Sequence, residues 1–209
     1  MNISQLISVL DLAGVAVFAA SGGLVASRKE MDLIGFGLMA ALTGLGGGTI
    51  RDLIVGREVF WLHSQSHVIV CLVVAGLVFF IAPMLQRRFT ALLWADAVGL
   101  SVFAVMGTHI ALVEGVFWMQ AIIFGMMTAT FGGLMRDVIA GEVSLFLKPE
   151  IYATATLVGG GVYILLLQFD IFQPLSAVLA VIAAFIVRSG GIIWKWELPK
   201  YKPRPGREY

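Results

Sequence analysis

Long apolar segments alternate with short polar joins along the whole chain. Seven such segments can be marked, and each has roughly the 17 to 25 residues that a helix needs to cross a bilayer. Their approximate bounds are Gln5–Ser27, Met31–Val55, Val68–Leu85, Ala91–Val113, Phe117–Ala140, Ile151–Phe169 and Pro174–Ile193. The pattern predicts an all-α integral membrane protein with seven transmembrane helices.

The first three segments recur as the next three, with a constant spacing of 85 residues. Three is an odd number, so the second copy enters the membrane from the opposite side, as in the inverted repeats of many transporters. The seventh segment has no counterpart. The sequence therefore predicts a first three-helix repeat over residues 1–85 and a second, inverted repeat over residues 86–170. An added seventh helix follows over residues 171–195, and a cytoplasmic tail over residues 196–209. The matched positions of segments one and four are Asp11, Gly14, Val17, Phe18, Ala19, Gly22 and Ala26 with Asp96, Gly99, Val102, Phe103, Ala104, Gly107 and Ala111.

Composition agrees with a membrane protein. Hydrophobic residues make up 59% of the chain and charged residues only 13%, whereas soluble domains carry about 25% charged residues. A net charge of +1 argues against nucleic acid as a partner. The single cysteine, Cys71, excludes a disulfide framework and a thiolate metal site, and we expect it to be buried and inert. Membrane lipid is the expected environment.

The distribution of lysine and arginine predicts the orientation, because cytoplasmic loops are enriched in both. With the N-terminus outside, only Arg57 falls in an outer loop. The cytoplasmic side then holds Arg28, Lys29, Arg87, Arg88, Lys148, Lys195, Lys200, Lys202, Arg204 and Arg207. We therefore predict an outer N-terminus and a cytoplasmic C-terminus, with a Pro-rich basic tail that is disordered.

A glycine-rich motif stands inside segment two and again inside segment five. Residues 43–52 read T-G-L-G-G-G-T-I-R-D and residues 128–137 read T-A-T-F-G-G-L-M-R-D. Because glycine leaves the backbone free to bend, we expect both helices to be broken there. Freed carbonyl groups would bind a permeating cation, and freed amide groups would bind an amino-acid carboxylate. A third interpretation, in which a kink serves only helix packing, is left open as well. The candidate pathway residues are Thr43, Gly46, Gly47, Gly48, Thr128, Phe131, Gly132 and Gly133.

Each motif ends in an adjacent arginine and aspartate, and each repeat has a further aspartate inside its first helix. Neighbouring side chains on a helix point about 100° apart, so we expect neither arginine to pair easily with the aspartate that follows it. Cross-pairing between the copies, or with Asp11 and Asp96, would neutralise the arginines, and charges at membrane depth are functional candidates. We interpret the set as an ionic clasp, either gating or structural, formed by Arg51, Asp52, Arg136, Asp137, Asp11 and Asp96.

Three further polar residues attract attention. His109 could sense pH, although a lone histidine is more often simply hydrogen-bonded in its place. Glu150 and Tyr152 open segment six and are expected to lie at the membrane interface. The glycine motif is no phosphate-binding loop, since no G-K-[ST] follows it, and zinc-protease and serine-hydrolase motifs are missing from the sequence. We therefore do not expect an enzyme.

The G-G-G-x-x-R-D motif, the doubled three-helix unit with a seventh helix and the run E-I-Y-A-T-A at residues 150–155 resemble the prokaryotic branch of the trimeric intracellular cation (TRIC) channels. The resemblance covers nearly the whole chain. It implies a homotrimer in a prokaryotic plasma membrane, with a potassium-permeable pore inside each subunit beside helices two and five. No cofactor is implied beyond the transported K⁺ or Na⁺.

The resemblance leaves channel and carrier open, because the same bacterial twin domain is also associated with glycine transport. A glycine carrier is therefore the alternative, and a purely structural scaffold would leave the buried charges unexplained. Phe131 departs from the first copy, where Gly46 stands. This aromatic makes the second motif less flexible, and we interpret it as a possible hydrophobic gate.

Overall fold

The computed structural model describes residues 3–85, 87–148 and 150–199, with side chains from residue 8 onward. Seven α-helices run through this part of the chain, and the predicted all-α membrane fold is confirmed. They are α1 (Ile3–Arg28), α2 (Leu33–Val55), α3 (Gln65–Ile81), α4 (Arg88–Val113), α5 (Trp118–Ile139), α6 (Ala153–Gln168) and α7 (Gln173–Trp194). Short 3₁₀ turns follow α3 and precede α6, at Ala82–Met84 and Leu145–Leu147.

Six of the helices are long and apolar enough to cross a membrane, and α6 is shorter, with 16 residues. At 1.5 Å per residue α6 extends about 24 Å, a little less than a hydrocarbon core of about 30 Å. The start of the predicted tail is attached to the fold, because Trp196 accepts a backbone hydrogen bond from Ile151 and stacks on Trp194. The rest of the tail, from residue 200 onward, was predicted to be disordered and lies outside the described residues.

Equivalent helices of the two repeats pack in equivalent ways. Helix α1 packs on α2 as α4 packs on α5, and α3 lies against α1 and α2 as α6 lies against α4 and α5. The halves meet where α1 contacts α4 and α2 contacts α5, while α7 packs mainly on α4 and α6. Cys71 of α3 is fully buried, as expected. The four helices α1, α2, α4 and α5 therefore form the centre of the molecule.

Contacts across this centre are reciprocal, as an approximate two-fold relation requires. The rings of Phe18 and its repeat equivalent Phe103 stack with centroids 5.2 Å apart. Gly14 lies against the ring of Phe103, and its equivalent Gly99 lies against the ring of Phe18. Each half therefore presents the same surface to the other.

The prediction that helices two and five are broken is wrong. Both α2 and α5 are continuous α-helices through their glycines. Their glycines are needed for a close crossing instead: a Cβ on Gly47 would collide with the carbonyl oxygen of Thr128, and one on Gly132 with that of Thr43. Backbones approach this closely only where a side chain is missing, and packing at the crossing outweighs the helix-weakening effect of glycine, about 1 kcal/mol per residue.

Candidate functional site

A tight turn after each motif fixes the carboxylate of its aspartate. Helix α2 ends at Gly56, whose φ of 79° favours glycine, and the returning chain donates the backbone N–H of Phe60 to Asp52 Oδ2 at 2.9 Å. The second repeat is built the same way, with the backbone N–H of Leu145 donating to Asp137 Oδ2 at 2.9 Å. Both aspartates are therefore held rigidly at the ends of their helices.

The expectation that neighbouring arginine and aspartate do not pair is wrong in both repeats. Arg51 Nε donates to Asp52 Oδ1 at 2.8 Å, and Arg136 Nε donates to Asp137 Oδ1 at 2.8 Å. The carboxylate is turned toward the loop by its backbone donor, and the long arginine side chain curls back around the last turn to meet it. The angle between Cβ directions alone does not decide the pairing when one partner is this flexible.

In the second repeat Arg136 bridges three partners. Its Nη1 donates to Asp96 Oδ1 at 2.7 Å and to the hydroxyl of Ser21, in the first repeat, at 3.0 Å. The guanidinium group and the Asp96 carboxylate are fully buried. The predicted pairing of this arginine with Asp96 is therefore confirmed. We call these residues, Ser21, Asp96, Arg136 and Asp137, the Arg136 cluster.

Tyr152, which was expected at the membrane interface, is buried in the protein beside this cluster. It is only 2% exposed, and its hydroxyl lies against Gly133, next to Asp96 and Arg136. The guanidinium group of Arg188 from α7 stacks on the Tyr152 ring at 5.0 Å. The chain before α6 therefore carries this ring into the protein and not to its surface.

Sequence reasoning gave Arg188 no role, although it is an arginine inside an apolar segment. It is fully buried and donates to Glu150 Oε2 at 3.3 Å and to the Ile151 carbonyl at 3.0 Å. The signal that could have found it is its position, since an arginine at membrane depth needs an acceptor. Through Tyr152 the added helix α7 therefore contacts the Arg136 cluster.

In the first repeat the arginine of the same motif has different hydrogen-bond and ion-pair partners. Arg51 binds Asp52, but its Nη1 has no hydrogen-bond partner among the described residues. Asp11 does not neutralise it, because Asp11 Oδ2 lies 2.9 Å from Nε2 of His67. Pairing with Asp11, one of the two alternatives by which Arg51 was expected to be neutralised, therefore does not occur. We call these residues, Asp11, Arg51, Asp52 and His67, the Arg51 cluster.

Two replacements account for the difference between the clusters. Met106 stands at the repeat position of Ser21, so Arg51 finds no hydroxyl group where Arg136 finds one. His67 stands at the position of Tyr152 and holds Asp11 away from the arginine. Sequence reasoning overlooked His67 and Ser21 and did not place Tyr152 beside the arginine, although the repeat spacing itself could have located all three.

A cavity of about 240 Å³ leads to the Arg51 cluster. Asp11 and Arg51 line it together with Arg57, Phe60, Met106 and His109. His109 Nδ1 lies 2.8 Å from the hydroxyl of Tyr163 and 3.3 Å from the side-chain nitrogen of Gln173, so it is a hydrogen-bonded histidine at the cavity wall. The cavity therefore lies beside one of the two clusters, and Asp11 and Arg51 of that cluster form part of its wall.

The remaining predicted pathway residues lie between the clusters or near them. The hydroxyls of Thr43 and Thr128 donate to the carbonyls of Met39 and Phe124 on their own helices. Gly46 contacts the Met135 sulfur, Gly48 contacts the Phe60 ring, and Phe131 is half-buried. Among the described residues no group of three metal-binding side chains occurs.

Ion pairs join the two repeats beyond each cluster, with the signs exchanged. Lys29 Nζ lies 3.6 Å from Glu142 Oε1, where Arg28 also contributes at 3.1 Å. At the equivalent positions Glu114 Oε1 lies 3.3 Å from Arg57 Nη1. Cation and anion have changed places across the two-fold relation, and both ends of the repeat interface are closed by a pair.

Comparison with known proteins gives matches over almost the whole chain. The family described as glycine transporter matches residues 8–83 and, a second time, residues 93–168. A UPF0126 membrane protein of Vibrio cholerae is 35% identical over 95% of this chain and 84% of its own length. The UPF0126 inner membrane protein YadS of Escherichia coli is 33% identical over 94% of this chain and 97% of its own length.

Among solved structures, a TRIC trimeric intracellular cation channel orthologue from Rhodobacter sphaeroides is similar to this chain. The two superpose with a TM-score of 0.89 at 46% sequence identity. The match covers 92% of this chain and 100% of the other. The likeness therefore includes both repeats and the seventh helix.

Proposed function

This chain belongs to the glycine transporter family, and on that premise we propose that it is a cation channel that conducts potassium along a path inside each subunit. The observation that carries the proposal is the likeness to the Rhodobacter sphaeroides cation channel, at 46% identity over nearly all of both chains. That likeness favours a channel over the alternative of a glycine carrier.

The path we propose follows the interface between the repeats. It enters through the cavity at Asp11, passes the Arg51 cluster and the α2–α5 crossing, and leaves past the Arg136 cluster. Ionisable side chains at membrane depth mark ion pathways more often than they serve packing, because burying them costs free energy where neither water nor a charged partner reaches them. In this conformation the buried Arg136 cluster and Tyr152 close the path, so conduction requires Arg136 to move away from Asp96. Phe131 is proposed as an additional hydrophobic gate.

The same likeness supports a homotrimer in the inner membrane of a prokaryote. We further propose that the second repeat is inverted in the membrane, with the N-terminus outside and the C-terminus in the cytoplasm. The number of cations at the two ends of the repeat interface supports this orientation. Arg28 and Lys29 lie at the end proposed to be cytoplasmic, whereas Arg57 alone pairs with Glu114 at the other end.

Purified protein in planar bilayers with a potassium gradient tests the proposal. We expect unitary potassium currents, and we expect Asp96→Asn to change gating because it releases Arg136 from its strongest partner. Asp32→Asn, which alters only the exposed cap of α2, is the matched control with unchanged currents. Silent bilayers together with saturable glycine uptake into liposomes from the same preparation would establish the carrier instead.

A further inference from the structure

We propose that the segment that follows α7, residues 195–198, keeps residues 150–152 out of α6 and so holds Tyr152 in the position that closes the path. We call residues 195–198 the tail segment, and Trp196 is its positioning residue. The inference rests on the proposed cation channel and adds a restraint on its gate. It starts from a difference between the two repeats in the place where their third helices begin.

The third helix begins later in the second repeat than in the first. Helix α3 starts at Gln65, and the repeat spacing of 85 residues places the equivalent residue at Glu150. Helix α6 starts only at Ala153. Residues 65–67 therefore belong to the first turn of α3, whereas residues 150–152 are not helical. Adding a turn to an existing helix needs no new nucleus, so a contact must keep residues 150–152 out of the helix.

The tail segment and α7 bind the backbone of these residues. The N–H of Ile151 donates to the carbonyl oxygen of Trp196 at 3.3 Å, and Glu150 and Glu197 form an antiparallel bridge. On the other side Arg188 Nη1 donates to the Ile151 carbonyl oxygen at 3.0 Å. A residue paired in an antiparallel bridge has extended backbone angles, which an α-helix does not allow. The pairing with the tail segment therefore prevents residues 150–152 from joining α6.

Trp196 anchors the tail segment on α7. The chain turns back after Trp194 through Lys195, whose φ of 53° is left-handed. The Trp196 ring then lies on Gly190, where a Cβ would collide with it, and it stacks on the Trp194 ring with centroids 5.2 Å apart. The ring can lie there only because residue 190 has no side chain, so a methyl group at this position displaces the ring and loosens the tail segment.

Tyr152 can leave the Arg136 cluster only if residues 150–152 move. Its hydroxyl lies against Gly133, and the guanidinium group of Arg188 covers its ring at 5.0 Å. A side chain that is 2% exposed and packed at both its face and its hydroxyl has no room to rotate in place. Release of the tail segment lets residues 150–152 extend α6, as residues 65–67 extend α3, and withdraws the ring. The restraint on the gate therefore lies outside the two repeats.

The first measurement is the open probability of single channels in planar bilayers with a potassium gradient. Trp196→Ala removes the anchoring ring and Gly190→Ala displaces it. Both should raise the open probability roughly three- to tenfold, the factor that follows from losing one or two weak contacts. The single-channel conductance should stay unchanged, because neither residue lies on the proposed path. A general loss of packing would not raise the open probability while leaving the conductance constant.

Trp118→Ala is the matched control, because Trp118 is a half-exposed tryptophan at the opposite end of α5 from Arg136. Its open probability should equal that of the wild type. Wild-type open probabilities in both Trp196→Ala and Gly190→Ala would overturn the role of the tail segment.

The second measurement fixes the tail segment instead of loosening it. Opposite residues of an antiparallel pair have Cα atoms about 4.5–5.5 Å apart, which suits a disulfide. Glu150→Cys combined with Glu197→Cys should therefore cross-link on oxidation. The open probability should then fall roughly tenfold or more and recover on reduction. Cys71 is buried and does not compete, and each single cysteine variant under the same oxidant is a control that should not change.

The cross-link forms independently of conduction. A cross-link in a protein that passes no current would support the contact between the tail segment and residues 150–152 and overturn the proposed channel together with its gate. Potassium currents with an open probability that the cross-link does not change would overturn the restraint and leave the channel standing. Failure of the two cysteines to cross-link would overturn the contact itself.

Discussion

The Arg51 and Arg136 clusters begin from the same motif and end with different properties. In both, the arginine binds the next aspartate at 2.8 Å and a loop amide fixes that aspartate. In the second repeat the arginine also binds Asp96 and Ser21, whereas in the first it binds Asp52 and lines a cavity. A duplicated element can therefore give one fully buried cluster and one cluster beside a cavity, because a few neighbours differ.

The largest expected effect separates the two arginines. Arg136→Ala leaves the buried Asp96 and Asp137 without their cation, and breaking a buried ion pair in this way costs about 3–5 kcal/mol of unfolding free energy. Arg51→Ala should cost less, since it removes the arginine from one buried carboxylate and not two, and Arg57 Nε still lies 3.9 Å from Asp52 Oδ1. Denaturation with sodium dodecyl sulfate in mixed micelles measures both values. Equal losses would show that the two clusters contribute alike.

A second effect addresses what the halves share. Gly47→Ala and Gly132→Ala each place a methyl group against a carbonyl oxygen of the facing helix. Overpacking of this kind costs about 1–3 kcal/mol, and the two variants should lose similar amounts because their contacts are reciprocal. Gly161→Ala on α6 is the control, since nothing lies within 4 Å of its added methyl group. The same denaturation assay applies, and a harmless Gly47→Ala would contradict the close crossing.

The smallest effect concerns the pairs with exchanged signs. Lys29→Glu combined with Glu142→Arg gives this end of the repeat interface the polarity of the other pair, Glu114 and Arg57. Pairs this exposed contribute about 0.2–1 kcal/mol, so each single variant should destabilise slightly and the double variant should recover part of the loss. A double-mutant cycle in the same micelles measures the coupling. Complete additivity would mean that the pair contributes nothing to the contact between repeats.

Sequence reasoning predicted the repeat and the helices but not which side chains pair within the two clusters. Apolar segments and a repeat at constant spacing are visible in the sequence itself. They predicted the seven helices and singled out Gly47, Gly132, Arg136 and Asp96 as important residues. Whether the helices are broken or continuous at the glycines could not be predicted, because glycine permits both a break and a close helix crossing. The choice depends on the carbonyl group of the facing helix, which only the tertiary structure places there.

The sequence by itself determined that this chain is a seven-helix membrane protein with two related halves, since hydrophobicity and length suffice to place helices in a bilayer. The tertiary structure alone decided which charge meets which. Arg136 finds Ser21 across 115 residues of chain and Asp11 finds His67 across 56 residues. Such partners are selected by how whole helices pack, because a buried charge must take the acceptor that packing brings within about 3 Å, whatever its distance along the chain.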